Sequence, residues 1–226
     1  MTTNRKADYQ PAEYHPAFEE YCETIFELRE DSVGVIQARI AERMGISRPA
    51  VSEMIRRMEH EGLITVVKGS VSLTADGLAL AERVVRRHRL AERLLTDVLG
   101  LSWSLAHSEA GKWEHVISEP VEQALMRLLG DPTTCPHGNP IPGSGYAAPN
   151  SVTLSQIPVG NSFTVTRIPE ELEFEPGMLD FLEDNLLRPG FVGTVTAAGP
   201  SITVEIDGRT VDVDPFASDR ILVAAS

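Results

Sequence analysis

One pattern in the first third of the chain restricts its fold most: two short amphipathic segments, a glycine between them, and two β-like segments after them. Residues 35–44 have apolar side chains at helical spacing, and Gly45 ends this segment as a C-terminal glycine commonly does. Ser47 suits the N-cap of the next helix, and Pro49 lies in its first turn, where a missing N–H is tolerated. Residues 63–74 contain two β-like runs around a Lys-Gly-Ser turn, which predicts a hairpin. This order predicts a winged helix-turn-helix whose recognition helix begins after Ser47.

The recognition helix would present small polar and basic side chains to DNA. Arg48, near its N-terminus, suits a phosphate or a guanine edge, and Ser47 and Ser52 suit phosphate or base-edge contacts. Lys68, at the tip of the wing, suits a backbone phosphate. The alternative is a helical hairpin whose arginine face is merely solvated. The candidate DNA-binding residues are Gln37, Arg39, Ser47, Arg48, Pro49, Ala50, Ser52, Glu53, Arg57 and Lys68.

The charge distribution agrees with a DNA-binding unit inside an acidic protein. The formal net charge of the chain is −13, which is unusual for a protein that binds nucleic acid. Residues 36–93, however, carry 11 Lys and Arg against 7 Asp and Glu. The acidic excess therefore lies in the flanking residues, and the basic module is the part suited to meet a polyanion.

The middle of the chain predicts a helical unit that needs a partner. Residues 78–99 and 105–129 are helical in pattern, with a break at 100–102 and apolar side chains on several sides. Such a surface predicts burial against a second subunit, and a homodimer would present two recognition helices to two half-sites.

The last third of the chain is β-rich. Residues 137–145 form a Pro/Gly-rich linker, and the segment that follows predicts a small five-stranded barrel with one short helix at 178–187. The expected fold class is α+β, with a winged helix-turn-helix, an all-helical dimerisation domain and a C-terminal SH3-like β-barrel. The expected domain bounds are 1–83, 84–150 and 151–226.

Composition predicts a cytoplasmic protein with no membrane partner. No apolar run approaches the roughly 20 residues that a membrane-spanning helix needs. The first residues are polar and lack the apolar core of a secretory signal. Two cysteines, Cys22 and Cys135, cannot build a disulfide framework and suit a reducing compartment.

Imidazole–carboxylate pairs on the predicted helices carry the candidate chemistry. Residues three, four or seven apart share a helix face, and mixed nitrogen and oxygen donors suit divalent transition metals. Sets rich in carboxylates favour harder ions such as Mn²⁺. Taken alone, any one pair could equally be a surface salt bridge. The pairs are His88 with Glu92, His107 with Glu114, and Glu20 with Glu23, and His115 directly follows Glu114.

Longer motifs resemble a known family. They are HRLAERLLTD at 88–97, HSEA at 107–110, WEHV at 113–116 and GNPIPG at 138–143. These motifs resemble the diphtheria-toxin-repressor family of metal-activated dimeric repressors, which has iron-sensing and manganese-sensing branches. The resemblance extends along the whole chain and is weakest in the third, SH3-like domain. It implies a repressor that binds double-stranded operator DNA and controls metal-uptake genes.

The resemblance implies two metal sites per subunit. One site would use His88, Glu92 and His107 of the helical domain with Glu170 and Glu173 of the third domain. The other would use Glu114 and His115 with Glu20 and Glu23 of the first helix, and Gly111 through its carbonyl or a water.

The chain departs from the iron-type pattern at three of these positions. Glu173 stands where iron-type members have Gln, Glu20 stands at the position of a methionine, and Gly111 stands at that of a cysteine. Losing sulfur donors while gaining a carboxylate should weaken Fe²⁺ and Zn²⁺ relative to Mn²⁺. We therefore predict Mn²⁺ as the cofactor, with Fe²⁺ as the alternative.

The resemblance also implies an anion site. Arg89 and Asn139 match anion contacts of the family, whereas Cys135 replaces an anion-contacting serine. We hypothesise that metal tethers the first helix, through Glu20 with Glu23 as a further ligand, to Glu114 and His115, and so fixes the spacing of the two recognition helices.

Other classes of function fit the sequence less well. A metallohydrolase would need a metal beside a general base, and no HExxH or similar motif is present, so we expect neither an enzyme nor a small-molecule substrate. A metal-independent winged-helix regulator remains an alternative, and it would bind DNA regardless of a chelator. The barrel could also bind a peptide, most simply the chain's own segment 139–142.

Overall fold

The structure, a computed structural model, describes residues 16–225. Its N-terminal unit consists of three helices and a hairpin: α1 (Pro16–Glu30), α2 (Gln37–Met44), α3 (Arg48–His60), β1 (Ile64–Val67) and β2 (Ser70–Leu73).

The turn between α2 and α3 follows from its local sequence. Gly45 has φ 65°, and the Ser47 side chain accepts a hydrogen bond from the backbone N–H of Ala50 at 3.4 Å. The hairpin pairs antiparallel, with Thr65 opposite Ser72. The predicted helix-turn-helix and its wing are therefore present, and their apolar residues form one core with α1.

The helical unit follows the wing without a linker. It consists of α4 (Ala75–Arg93), a π-helical turn (Leu94–Val98), α5 (Trp103–Trp113) and α6 (Glu119–Leu128). The predicted boundary between residues 83 and 84 falls inside α4, so one continuous helix is shared by the DNA-binding and helical units.

The predicted helix over 105–129 is interrupted. It ends at Trp113 and resumes at Glu119, with Pro120 in the first turn of α6. Proline suits a first turn, but in a helix interior it removes a hydrogen bond and clashes with the preceding turn. The interruption places Glu114 and His115 in the turn that follows α5.

The Pro/Gly-rich stretch after α6 is not a free linker. His137 and Asn139 are fully buried, and the backbone N–H of Ile168 donates to the carbonyl of His137 at 2.8 Å. Thr134 also forms a β-bridge with Pro140. The stretch is therefore packed between the helical unit and the C-terminal domain.

The C-terminal domain is an antiparallel sheet with short helices. Its strands are β3 (Val152–Thr153), β4 (Ser162–Arg167), β5 (Val192–Ala198), β6 (Ile202–Ile206), β7 (Arg209–Val213) and β8 (Leu222–Ala225). Its helices are α7 (Glu170–Glu173), α8 (Met178–Asp184) and α9 (Pro215–Ser218).

The predicted five-stranded barrel needs correction. Within residues 16–225 the sheet has six strands in the order β3-β8-β4-β5-β6-β7, and the edge strands β3 and β7 do not pair. The two-residue strand β3 covers one edge, and bulges in β4 and β5 bend the sheet over its core. No helix within the described range is long and apolar enough to span a membrane.

Candidate metal centre

A group of buried ionisable side chains lies where the helical unit meets the C-terminal domain. His88 and Glu92 lie one turn apart on α4, α5 adds His107, and α7 adds Glu173. His107 Nδ1 lies 3.0 Å from Glu92 Oε1 and 3.2 Å from Glu173 Oε2. His137 Nδ1 lies 2.8 Å from the same Glu173 oxygen. We call His88, Glu92, His107, His137 and Glu173 the buried cluster.

Two three-residue ligand groups share Glu92 in this cluster. The donor atoms of His88, Glu92 and His107 lie within 4.8 Å of one another, and so do those of Glu92, Cys135 and His137. Among the described residues, His137 Nε2 has no hydrogen-bond partner although it is buried. The nitrogen of His137 that faces the cluster is the other one, Nδ1, and imidazole, thiolate and carboxylate donors together suit a divalent transition metal.

Glu170 is not part of the cluster. Its Oε1 accepts a hydrogen bond of 2.8 Å from Arg89, whose guanidinium also forms a two-point ion pair with Glu30 at 2.7 and 3.1 Å. Asn139 donates to Glu173 Oε1 at 2.6 Å and to the carbonyl of Ile168. The two candidate anion ligands, Arg89 and Asn139, are therefore engaged by carboxylates of the chain itself.

A second group of side chains lies between α1 and the turn after α5. His115 Nδ1 lies 2.7 Å from Glu19 Oε2, and His115 Nε2 lies 2.8 Å from Glu20 Oε1 and 3.3 Å from Glu114 Oε1. Glu23 is buried beside them, and its Oε1 has no hydrogen-bond partner within residues 16–225. We call Glu19, Glu20, Glu23, Glu114 and His115 the rim cluster.

The two clusters are joined through Glu114. This carboxylate is only 1% exposed, and its Oε2 lies 2.5 Å from His88 Nδ1 while its Oε1 faces His115. The donor atoms of Glu23, His88 and Glu114 also lie within 4.8 Å of one another. A cavity of about 310 Å³ opens onto them and is lined in part by Gly111. There is thus room for a cation beside each cluster.

Hydrogen bonds to carboxylates set the protonation of the histidines. Burial alone would lower the pKa of His107, but side-chain hydrogen bonds to Glu173 and Glu92 outweigh it and raise the pKa to about 10. Hydrogen bonds to Glu19 and Glu20 likewise raise the pKa of His115 to about 10. Burial, with the nearby Glu114 charge, raises the pKa of Glu23 well above its usual range. A cation bound at these ligand atoms would therefore compete with protons.

Most of the predicted DNA-binding residues are exposed on the winged helix. The first residues of α3 and the tip of the wing are exposed, and Lys68 has φ 51° in the turn between β1 and β2. Two of the predicted DNA-binding side chains also contact other residues of the chain. Arg39 pairs with Glu42 at 3.3 Å, and the Arg57 guanidinium lies over the Phe18 ring at 5.5 Å. The structure leaves Ser47, Arg48, Pro49, Ala50, Glu53 and Lys68 exposed, and Gln37 and Ser52 partly exposed.

Comparison with protein families matches both halves of this arrangement. The N-terminal DNA-binding domain of iron-dependent repressors matches residues 14–70, and their metal-binding and dimerisation domain matches residues 74–143. The iron-dependent repressor IdeR of Mycobacterium tuberculosis is 42% identical over 204 residues, covering 84% of this chain and 89% of that protein. The chain belongs to the diphtheria toxin repressor family.

Further relatives agree with this family assignment. The diphtheria toxin repressor of Corynebacterium diphtheriae is 38% identical over 205 residues, covering 86% of this chain and 91% of that protein. A solved manganese-dependent transcriptional repressor, in complex with manganese, has a TM-score of 0.82 at 33% identity and covers 92% of this chain and all of that one. As a member of the diphtheria toxin repressor family, the chain is a metal-dependent transcriptional repressor with a dimerisation domain.

Sequence reasoning about this family member missed three side chains. His137 was assigned to a linker, Cys135 only to a serine position, and Glu19 to no role. A Cys-Pro-His triplet beside Gly-Asn-Pro was the available signal for the first two, because cysteine and histidine two residues apart can share a metal. Glu19 has no comparable signal, since its partner His115 is 96 residues away.

Proposed function

We propose that this repressor responds to manganese and that it controls genes of metal uptake. The observation that supports this proposal is the donor set around His115: Glu20 and Glu114, with Glu23 nearby, and no sulfur atom among them. Cys22, on the same helix as Glu20, is fully buried in the apolar core around α1. Oxygen and nitrogen donors suit Mn²⁺, whereas thiolate and thioether sulfur atoms suit softer metal ions.

Two divalent cations per subunit are proposed. One would be held by Glu20, Glu114 and His115, with Glu23 and the carbonyl of Gly111 available at the cavity. The other would be held by His88, Glu92 and His107, with Glu173 and the Cys135–His137 pair close by. When bound, each cation would supply positive charge in place of the protons that these groups carry.

The rim cluster offers a way for metal binding to affect DNA binding. Glu20 lies on α1, which packs in one core with α2 and α3, whereas Glu114 and His115 belong to the dimerisation domain. Holding these side chains together fixes the DNA-binding unit against the dimer and therefore the spacing of two recognition helices. The predicted contacts at the start of α3 and at Lys68 would then meet the major groove and a phosphate of the operator.

In this proposal Arg89 and Asn139 have a structural role, because they bind carboxylates of the chain. Glu30 and Glu170 already neutralise Arg89, and Asn139 orients Glu173. The carboxylates of the chain would thus take the place of an external anion at this position.

An iron-responsive repressor is the second candidate. The relatives that are 42% and 38% identical are named for iron dependence and for diphtheria toxin repression, and the Cys135 thiol offers one soft donor at the buried cluster. The two candidates differ in which metal activates operator binding at the lower free concentration.

Fluorescence anisotropy would separate them. DNA from upstream of metal-uptake genes is titrated with protein in the presence of Mn²⁺, anaerobic Fe²⁺, Zn²⁺ or Co²⁺, with a chelator control. We expect Mn²⁺ to activate binding at a lower free concentration than Fe²⁺, and the paired substitution Glu20→Met with Gly111→Cys to reverse that order. Activation of the unaltered chain by Fe²⁺ at an equal or lower concentration would contradict the manganese proposal. Binding unaffected by chelator would contradict metal dependence altogether.

A further inference from the structure

Phe174 lies where the three parts of the molecule meet. It directly follows Glu173, a member of the buried cluster, and caps the C-terminus of α7. Its ring does not enter the core of its own domain: Phe174 is 47% exposed, whereas Leu172, two residues earlier, is fully buried in that core. The ring projects instead toward the other two units.

One side of the ring contacts a candidate metal ligand. The rings of Phe174 and His107 are 5.4 Å apart, centroid to centroid, and nearly perpendicular at 89°. This is the edge-to-face arrangement that aromatic rings prefer. Because His107 is held by Glu92 and Glu173, the position of the phenyl ring follows the closure of the buried cluster.

The ring also contacts the helix-turn-helix. The Arg43 guanidinium carbon lies 4.6 Å from the centroid of the Phe174 ring, within the range of a cation–π interaction. Arg43 is on α2, and it also pairs with the buried carboxylate of Glu27 on α1 at 3.5 Å. Ile40 and Ala41 of α2 share a core with Val51 and Ile55 of α3, so a shift of Arg43 would be passed to the recognition helix.

We propose that Phe174 is a positioning residue that couples the buried cluster to the helix-turn-helix. With Glu173 and His107 drawn together, the phenyl ring is fixed between His107 and Arg43, and α2 is held in one position against the C-terminal domain. With the cluster open, α7 no longer fixes the ring and α2 loses this contact. The inference rests on the proposed metal-dependent repression.

The test measures a coupling factor, which is the operator Kd without metal divided by the operator Kd at saturating Mn²⁺. The variants are Phe174→Leu, which keeps apolar volume but removes the ring, and Phe174→Tyr, which keeps the ring. The matched control is Phe216→Leu, because Phe216 is a second half-exposed phenyl of the same domain with Arg220 stacked on it at 3.9 Å. Mn²⁺ stoichiometry is followed independently by the electron paramagnetic resonance signal of the free hydrated ion.

We expect Phe174→Leu to lower the coupling factor by about three- to tenfold, the scale of one cation–π contact. Phe174→Tyr and Phe216→Leu should stay within about twofold of the unaltered chain, and all variants should bind the same number of Mn²⁺ ions. In an Arg43→Gln background, Phe174→Leu should have little additional effect, because the contact is already lost.

An unchanged coupling factor in Phe174→Leu would overturn the inference, as would an equal loss in Phe216→Leu or additive losses with Arg43→Gln. These results require an unaltered chain whose operator affinity does respond to Mn²⁺. If the unaltered chain does not respond, the proposed function fails and this inference fails with it.

Discussion

At the scale of single residues, Glu114 links the buried cluster to the rim cluster. Its two carboxylate oxygens face different histidines, His88 of the buried cluster and His115 of the rim cluster. A group shared in this way lets a change of charge at one cluster alter the other. Removing its charge should therefore disturb both clusters together, whereas removing Glu20, which is on the exposed side, should disturb the rim cluster alone.

Proton competition at His115 gives a prediction at the same scale. Because hydrogen bonds to Glu19 and Glu20 raise the pKa of His115 to about 10, this side chain is protonated at neutral pH in the metal-free protein. A metal must displace that proton, so metal affinity should rise by about tenfold per pH unit through pH 6–8 for each proton released. A histidine of ordinary pKa would give a rise that levels off near pH 7.

Isothermal titration calorimetry in buffers of different ionisation enthalpy measures the protons released. At least one proton per Mn²⁺ is expected at pH 7.5, and Glu19→Gln should lower that number because a neutral amide stabilises the protonated imidazole less than a carboxylate does. A buffer-independent enthalpy would show that His115 is neutral before metal binds.

At the scale of elements, α1 connects the parts of the molecule. Its early residues Glu19 and Glu20 reach the rim cluster, and its last residue, Glu30, pairs with Arg89 and with Arg167 of β4. Asp31, directly after the helix, also pairs with Arg167 at 2.6 Å. One helix of 15 residues, about 22 Å long, thus contacts both other units.

A glycine near the start of α4 allows that helix to pack closely against the backbone that precedes the wing. A Cβ atom at Gly77 would lie 1.9 Å from the carbonyl oxygen of Leu63, so even alanine requires the backbone to shift. We expect Gly77→Ala to destabilise the protein by about 1–3 kcal/mol, the usual range for overpacking.

Gly111 offers the matched control, since it also lies within a helix but has nothing within 4 Å of an added Cβ. Gly111→Ala should stabilise α5 by roughly 0.5–1 kcal/mol, because alanine is the better helix former. Urea denaturation of both variants, with chelator present, gives the two free energies of unfolding. Equal effects of the two substitutions would contradict the argument from the Leu63 contact.

At the scale of the whole molecule, acidic groups are concentrated where the units meet. The net charge is −13, and Glu23, Glu92, Glu114 and Glu173 are all at least 90% buried near the joining surfaces. Protonated histidines offset part of this charge in the metal-free state. A divalent cation would offset it more fully, so occupancy and assembly of the three units should be linked.

Thermal unfolding tests that linkage. A ligand at 100 times its Kd stabilises the native state by about 2.7 kcal/mol, which for a chain of this size raises the Tm by roughly 5–10 °C. We expect Mn²⁺ to give such an increase, a chelator to reverse it, and Glu20→Ala to reduce it. Glu109→Ala is the matched control, because Glu109 pairs with Lys112 on the surface of α5, away from both clusters' ligand groups. A Tm that ignores Mn²⁺ would contradict metal-linked assembly.

The sequence alone determined the local elements and the family. The α2–α3 turn depends on Gly45, Ser47 and Pro49, and each acts within one helical turn of its own position. The pairing of His88 with Glu92 on one face likewise follows from helical spacing.

Tertiary structure decided which distant side chains meet. Glu173 rather than Glu170 joins the buried cluster, His137 is folded into it with Cys135 beside it, and the predicted barrel is an open six-stranded sheet. These outcomes depend on how α7 and the stretch after α6 pack against α4, across about 80 residues of sequence. Helix and turn signals act over a few residues, whereas the burial of charged groups is resolved only when separate units come together.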